Sequence, residues 1–263
     1  MNLLKYRLAQ VVSTANFLPN RSEQRLRRVL MYHSVVKDAD IATRAPDIYS
    51  ISETYFTTHV DLLAQQNKTG QRKVVSLEDS DPNGVSITFD DGYNDTLTIA
   101  APLLLAKNLP FHIFVTPENI ISGSPQYLSS DGLIALSKIP GATIGAHGFS
   151  HRHLNRLSPK EITDELKSSK EWLENKIGKS VLTMSYPHGA FNSLVEEIAS
   201  SVGYMFAATS NWDCYKVETQ PLRIPRIDIW NLDNKNALQQ KLDGKWDWLK
   251  KMNKSQNLNT STK

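Results

Sequence analysis

Apolar and polar positions alternate along Val85–Phe89 as a strand with two differently solvated faces requires, and the run stops at Asp90-Asp91-Gly92. Shorter apolar runs with the same polar stop occur at residues 28–33, at Phe111–Val115 behind Pro110, and at residues 143–146 leading into His147. Residues 181–185, before Tyr186-Pro187-His188-Gly189, read the same way, and two further short strands are expected near residues 205–209 and 223–227. Between these runs the apolar period becomes helical. Phe56, Val60 and Leu63 mark one face of a helix over about residues 55–66. A second helix begins at Ser158-Pro159-Lys160-Glu161, where Ser158 can cap, Pro159 suits the first helical position and Glu161 completes a capping box. Ile162, Leu166, Leu173 and Ile177 form its buried face, and Gly178 ends it. A third helix runs from Asn192 to Gly203, and a last one carries Leu238, Leu242, Trp246 and Leu249.

Strands alternating with helices imply parallel strands joined by helical crossovers. Roughly seven strands suit a closed barrel, or a barrel with a gap, better than an open sheet, and 263 residues fit one such α/β domain. The expected organisation is an N-terminal extension over residues 1–26, a barrel over residues 27–252 and a disordered polar tail over residues 253–263. The extension has an amphipathic pattern at Leu4, Leu8, Val11, Val12 and Ala15, broken by Lys5, Tyr6, Arg7 and Gln10. It is therefore neither a clean signal-peptide core nor a spanning segment, and packing against the domain is expected before lying on lipid. The chain reads as soluble and cytoplasmic, or peripheral to a membrane. Its formal net charge of +3 is too small to indicate nucleic acid, though it is compatible with anionic glycans or a membrane surface. Cys214 stands alone, so no internal disulfide can form.

The polar residues that end the strands carry the chemistry. His33, Asp90, Asp91, His147, His188 and Arg226 all fall at or just beyond predicted strand ends, the rim where α/β barrels build their active sites. Adjacent carboxylates such as Asp90 and Asp91 repel unless a cation or an arginine offsets them. A lone Asp-Asp-Gly is more often a capping turn. His147 and His151 lie four residues apart, so a helical turn would aim both imidazoles at one point, and with Asp91 they make a two-histidine, one-carboxylate metal set. His153 is read as a supporting or structural residue. The Tyr186-Pro187-His188-Gly189 turn could point a backbone N–H into a cleft, as an oxyanion hole needs. Arg226 could orient Asp90 or form an ordinary rim salt bridge, and His33 and Asp213 are equally open.

Together these segments resemble the polysaccharide deacetylase family, also called the NodB-homology or carbohydrate esterase family 4, over about residues 29–249. Thr88-Phe89-Asp90-Asp91-Gly92 looks like its first motif, His147-Gly148-Phe149-Ser150-His151 its second, and Ser185-Tyr186-Pro187-His188-Gly189 the Ala-Tyr-Pro-Tyr-Gly form of its third. Leu30-Met31-Tyr32-His33-Ser34 is similar to the opening strand of one branch, and Trp212-Asp213 only loosely matches the fourth motif. The resemblance implies a distorted (β/α)7 barrel and a divalent metal, zinc first, with Co, Ni, Fe or Mn as alternatives. It implies Asp90 as general base, Asp91, His147 and His151 as metal ligands, the His188 amide as oxyanion donor and Arg226 as the arginine that steadies the base. No histidine follows His188, so the late histidine that supplies the general acid in many members is missing, and His33 is the candidate in its place. The expected activity is removal of N-acetyl groups from an acetylated glycan or lipid-linked sugar, a hydrolysis of carbon–nitrogen bonds other than peptide bonds. The alternatives are a carbohydrate-binding member with weak or no turnover, and an O-acetyl esterase.

Overall fold

The computed structural model describes residues 6, 10–11, 26–41, 47–216 and 218–250. Its centre is a curled seven-stranded sheet in which every pairing is parallel. In chain order the elements are β1 (Arg28–Tyr32), β2 (Ser34–Val36), β3 (Ser50–Ser52), α1 (Glu53–Thr69), β4 (Val85–Phe89), α2 (Ala101–Ala106) and β5 (Phe111–Val115). They continue with α3 (Pro117–Ile121), α4 (Ser130–Leu136), β6 (Ala142–Ala146), α5 (Pro159–Ile177), β7 (Thr183–Ser185), α6 (Ser193–Val202), β8 (Phe206–Ala208), β9 (Ile227–Asp228) and α7 (Lys235–Leu242). The sheet order is β8-β7-β6-β5-β4-β1-β9, with β2 and β3 forming a separate parallel pair. This is the distorted (β/α)7 barrel expected, in one domain.

The strands are buried on both faces, and in β4 the alternating polar positions are not solvated as expected: Ser86 and Thr88 are buried and donate to the Ser76 and Leu30 carbonyls. Helix α5 starts as its sequence dictates: Ser158 accepts from the Glu161 N–H, and the Glu161 side chain accepts in turn from the Ser158 N–H. Such a cap stabilises a helix start by about 1 kcal/mol. Ile162, Leu166 and Leu173 pack inward, and Gly178 closes the helix in the left-handed conformation.

Two expectations are corrected. The strand placed at residues 223–227 is instead a short 3-10 turn at Pro221–Arg223, a single bridge from Ile224 to Ala208, and then β9. That stretch leaves one sheet edge and joins the other, since β9 pairs with β1, and it closes the barrel through one bridge. Arg226 therefore precedes its strand and lies inside the barrel, fully buried, rather than at a strand's end on the rim. The last helix stops at Leu242, because Gly244 turns the chain at φ 76°. Trp246 and Leu249 are buried nonetheless, beyond that turn.

The expected N-terminal helix and the polar tail lie outside the described residues, apart from Tyr6, Gln10, Val11 and Leu26. Tyr6 is helical and buried, with its ring against Trp230 and Trp246 and its hydroxyl donating to Asp233 Oδ1 at 2.8 Å. Among the described residues no helix is long and apolar enough to cross a membrane.

Candidate active site and metal centre

Strand β4 delivers Asp90 and Asp91 to the barrel mouth, and the backbone then sends their side chains apart. Asp91 and Gly92 take φ of 70° and 73° in succession. A side chain at Gly92 would meet Val115 Cγ1 at 3.2 Å in a conformation that only glycine adopts freely. Asn119 Nδ2 donates to the Asp91 carbonyl at 3.1 Å and steadies this turn.

Asp90 turns inward. Arg226 donates to both of its oxygens at 2.7 Å, and to Ser185 Oγ at 2.7 Å, Thr88 Oγ1 at 3.1 Å and the Thr209 carbonyl at 2.9 Å. Burial alone would raise the Asp90 carboxyl. The charges of Arg226 and His147 and the Arg226 hydrogen bonds outweigh it and hold the group well below the usual carboxylate range.

Asp91 turns toward two imidazoles. Its Oδ1 lies 3.5 Å from His147 Nε2 and 3.2 Å from His151 Nε2, and the two Nε2 atoms are 3.2 Å apart. The Nδ1 of His147 is 2.8 Å from the Ser185 carbonyl. A carbonyl only accepts, so Nδ1 carries the proton and Nε2 turns a lone pair toward Asp91 and His151. Burial also pushes His147 down to about 4, against the pull of Asp90 and Asp91, so the ring stays neutral near pH 7. Ligand atoms of Asp91, His147 and His151 all lie within 4.8 Å of one another, the one such group of three among the described residues. Two nitrogens and one carboxylate oxygen converging, with His147 locked as a neutral donor, fit a divalent cation of the zinc type with open positions left over.

The convergence does not come from the helical turn expected. Residues 147–151 form a loop, and His151 sits at φ 57°. Glu165 on α5 shapes that loop, accepting from the Phe149 and Ser150 N–H groups at 2.9 Å each and bonding the Ser150 hydroxyl. Ser169, one turn further along α5, donates to the Gly148 carbonyl at 2.9 Å. Glu165 was not singled out in the sequence. Its signal is a carboxylate on the inward stripe of α5, among Ile162, Leu166 and Leu173.

His188 also has positive φ, at 57°. Its Nε2 donates to the His151 carbonyl at 3.1 Å, and its ring packs 4.3 Å from His151 and 3.9 Å from His153. His153 thus reaches the site only through His188. His33 follows Tyr32, which is in register with Phe89 of the neighbouring strand, and its ring lies 4.5 Å from that of Tyr49. Asp213 pairs with Lys250 and does not line the cavity. The cavity, about 510 Å³, holds Asp90, Asp91, His147, His151, His188 and His33 together, while Arg226 lies beneath Asp90. Tyr49 and Asp228 line it as well, and neither was anticipated.

Residues 78–207 match the model of the polysaccharide deacetylase family. That span is narrower than the resemblance read from the motifs, and it leaves His33, Arg226 and Asp228 outside. The protein YxkH of Bacillus subtilis (strain 168) is 29% identical over 188 residues, 69% of this chain and 63% of YxkH. The peptidoglycan-N-acetylglucosamine deacetylase PgdA of Listeria monocytogenes is 25% identical over 180 residues, 67% of this chain and 33% of PgdA. The chain thus matches less than two thirds of the length of either relative. The solved structure of the Streptococcus pyogenes deacetylase PplD in complex with acetate superposes with a TM-score of 0.71 at 21% identity. It covers 82% of this chain and 98% of PplD, a likeness of fold.

Proposed function

We propose that this chain is a metal-dependent hydrolase that removes N-acetyl groups from an acetylated glycan, with residues 27–252 as its catalytic domain. One observation carries the reading: three side chains able to hold a cation converge beside an arginine-held aspartate in a single cavity. The match to the deacetylase family model and the activity in the name of PgdA support an N-acetylated polymer as substrate, and a lipid-linked sugar is the second candidate.

Asp91, His147 and His151 would hold the cation, zinc before Co, Ni, Fe or Mn. When bound, such an ion acidifies water and polarises a carbonyl oxygen. The protein's own groups do the rest. Asp90 takes the proton from the water that attacks the acetamide carbonyl, with Arg226 fixing the angle of its carboxylate. His188, on the cavity wall, offers its backbone N–H to the charge that develops on the carbonyl oxygen. His33 lines the same cavity as Asp90 and Asp91.

Acetate release, followed across peptidoglycan fragments, chitooligosaccharides and O-acetylated xylan with wild type and Asp90→Asn, tests this. The reading expects release from an N-acetylated member by wild type and loss of it in the variant. Release from the O-acetylated glycan alone would make the chain an esterase, and no release from any member would remove the enzymatic reading.

A further inference from the structure

Breaking the carbon–nitrogen bond requires a proton on the leaving nitrogen, because an amide anion is too basic to depart. Asp90 is assigned to the attacking water, and Arg226 and Ser185 hold its carboxylate in place there.

Asp228 is better placed. It ends β9 with its Cα in register with Met31 of β1, and His33 follows Met31 by two residues. Met31, His33 and Asp228 all line the cavity that contains Asp90 and Asp91. Lys241 Nζ donates to the backbone carbonyl of Asp228 at 2.7 Å, but among the described residues the Asp228 carboxyl has no hydrogen-bond partner. Asp228 is half-buried, and a carboxyl left unpartnered in a cavity wall is free for whatever enters. Burial raises it above the ordinary carboxyl value against the opposing charges of Lys241, His33 and Arg226, with Asp233 acting in the same direction as burial. Tyr49 faces it too, its phenol pushed up to about 12 by burial and then by Asp228, Asp47 and Asp90.

We propose that Asp228 is the catalytic acid of this site, delivering the proton to the leaving nitrogen directly, with His33 as its neighbour rather than the donor. The inference rests on the deacetylase reading above. Water gives its hydroxyl to the acetyl carbon and its proton to Asp90. The carbon–nitrogen bond breaks with its electron pair on nitrogen, and the Asp228 proton completes the amine. Asp90 then releases its proton to solvent and Asp228 regains one, so one water is consumed per acetyl group.

The test compares two acetyl donors with the same metal-loaded preparations. One is N-acetylated chitooligosaccharide. The other is p-nitrophenyl acetate, whose phenolate leaves without protonation. Asp228→Asn is expected to lower kcat on the glycan by about 100-fold or more, to keep ester hydrolysis within about 3-fold, and to lose the alkaline limb of the wild-type pH profile. Asp90→Asn is expected to lose both activities. Asp228→Ser repeats the comparison if the asparagine variant does not fold. Wild-type glycan turnover in Asp228→Asn, or an equal loss on both donors with metal content and circular dichroism unchanged, overturns the assignment of Asp228. Ester hydrolysis by wild type with no acetate released from the glycan overturns instead the deacetylase reading on which it rests.

Discussion

Arg226 holds both oxygens of Asp90 at 2.7 Å, and the two side chains are 0% and 4% exposed. A parallel fork of this kind fixes both the charge and the angle of the carboxylate. It also makes the site's integrity depend on a residue that approaches from the far end of the fold, between the closing bridge and β9.

Removing that fork leaves a buried carboxylate without its counter-charge. Arg226→Met is expected to cost about 3–5 kcal/mol of folding stability and to abolish acetate release, as read by urea denaturation and an acetate assay. Arg226→Lys keeps the charge but loses the bidentate geometry, and is expected to recover more stability than activity.

His188 and His151 share an unfavourable left-handed backbone and are tied by the hydrogen bond from His188 Nε2 to the His151 carbonyl. His188→Ala removes that tie and the ring that packs on His151. Metal affinity, measured by competition with a chromogenic chelator, is expected to fall about 10- to 100-fold. His188→Gln, whose amide can reach the same carbonyl, is expected to recover part of it.

His59 supplies a pH dependence away from the cavity. It is buried on α1 with Nδ1 3.1 Å from the Tyr32 hydroxyl, and burial lowers it from 6.5 to about 4. Between those values the unfolded chain binds a proton that the native ring does not. Stability from this group is therefore complete above pH 6.5 and falls as pH drops toward 4, by about 3 kcal/mol in all. Denaturation midpoints measured across that window are expected to fall more steeply for wild type than for His59→Gln.

Much of this was legible in the sequence because the strands stop abruptly at polar residues. Asp90 and Asp91, His147 and His188 follow three of those stops, and the parallel barrel brings strand ends to one mouth, so order along the chain translated into proximity. What was not legible depends on where the chain deviates from regular structure. Arg226 reaches the site because a 3-10 turn and one bridge replace a full strand. His147 and His151 converge because Glu165, sixteen residues from Phe149, bonds the loop between them. Asp228 was hidden because β9 is two residues long, too short to show a period.

The account stands on one cation shared by Asp91, His147 and His151. The direct measurement is metal content by plasma mass spectrometry on wild type and Asp91→Ala, with acetate release before chelation, after it and after metal is restored. The account predicts one divalent ion per wild-type chain, little in the variant, and activity that disappears with the ion and returns with it. Full turnover in chelated protein, or an ion retained by Asp91→Ala at wild-type affinity, would contradict it.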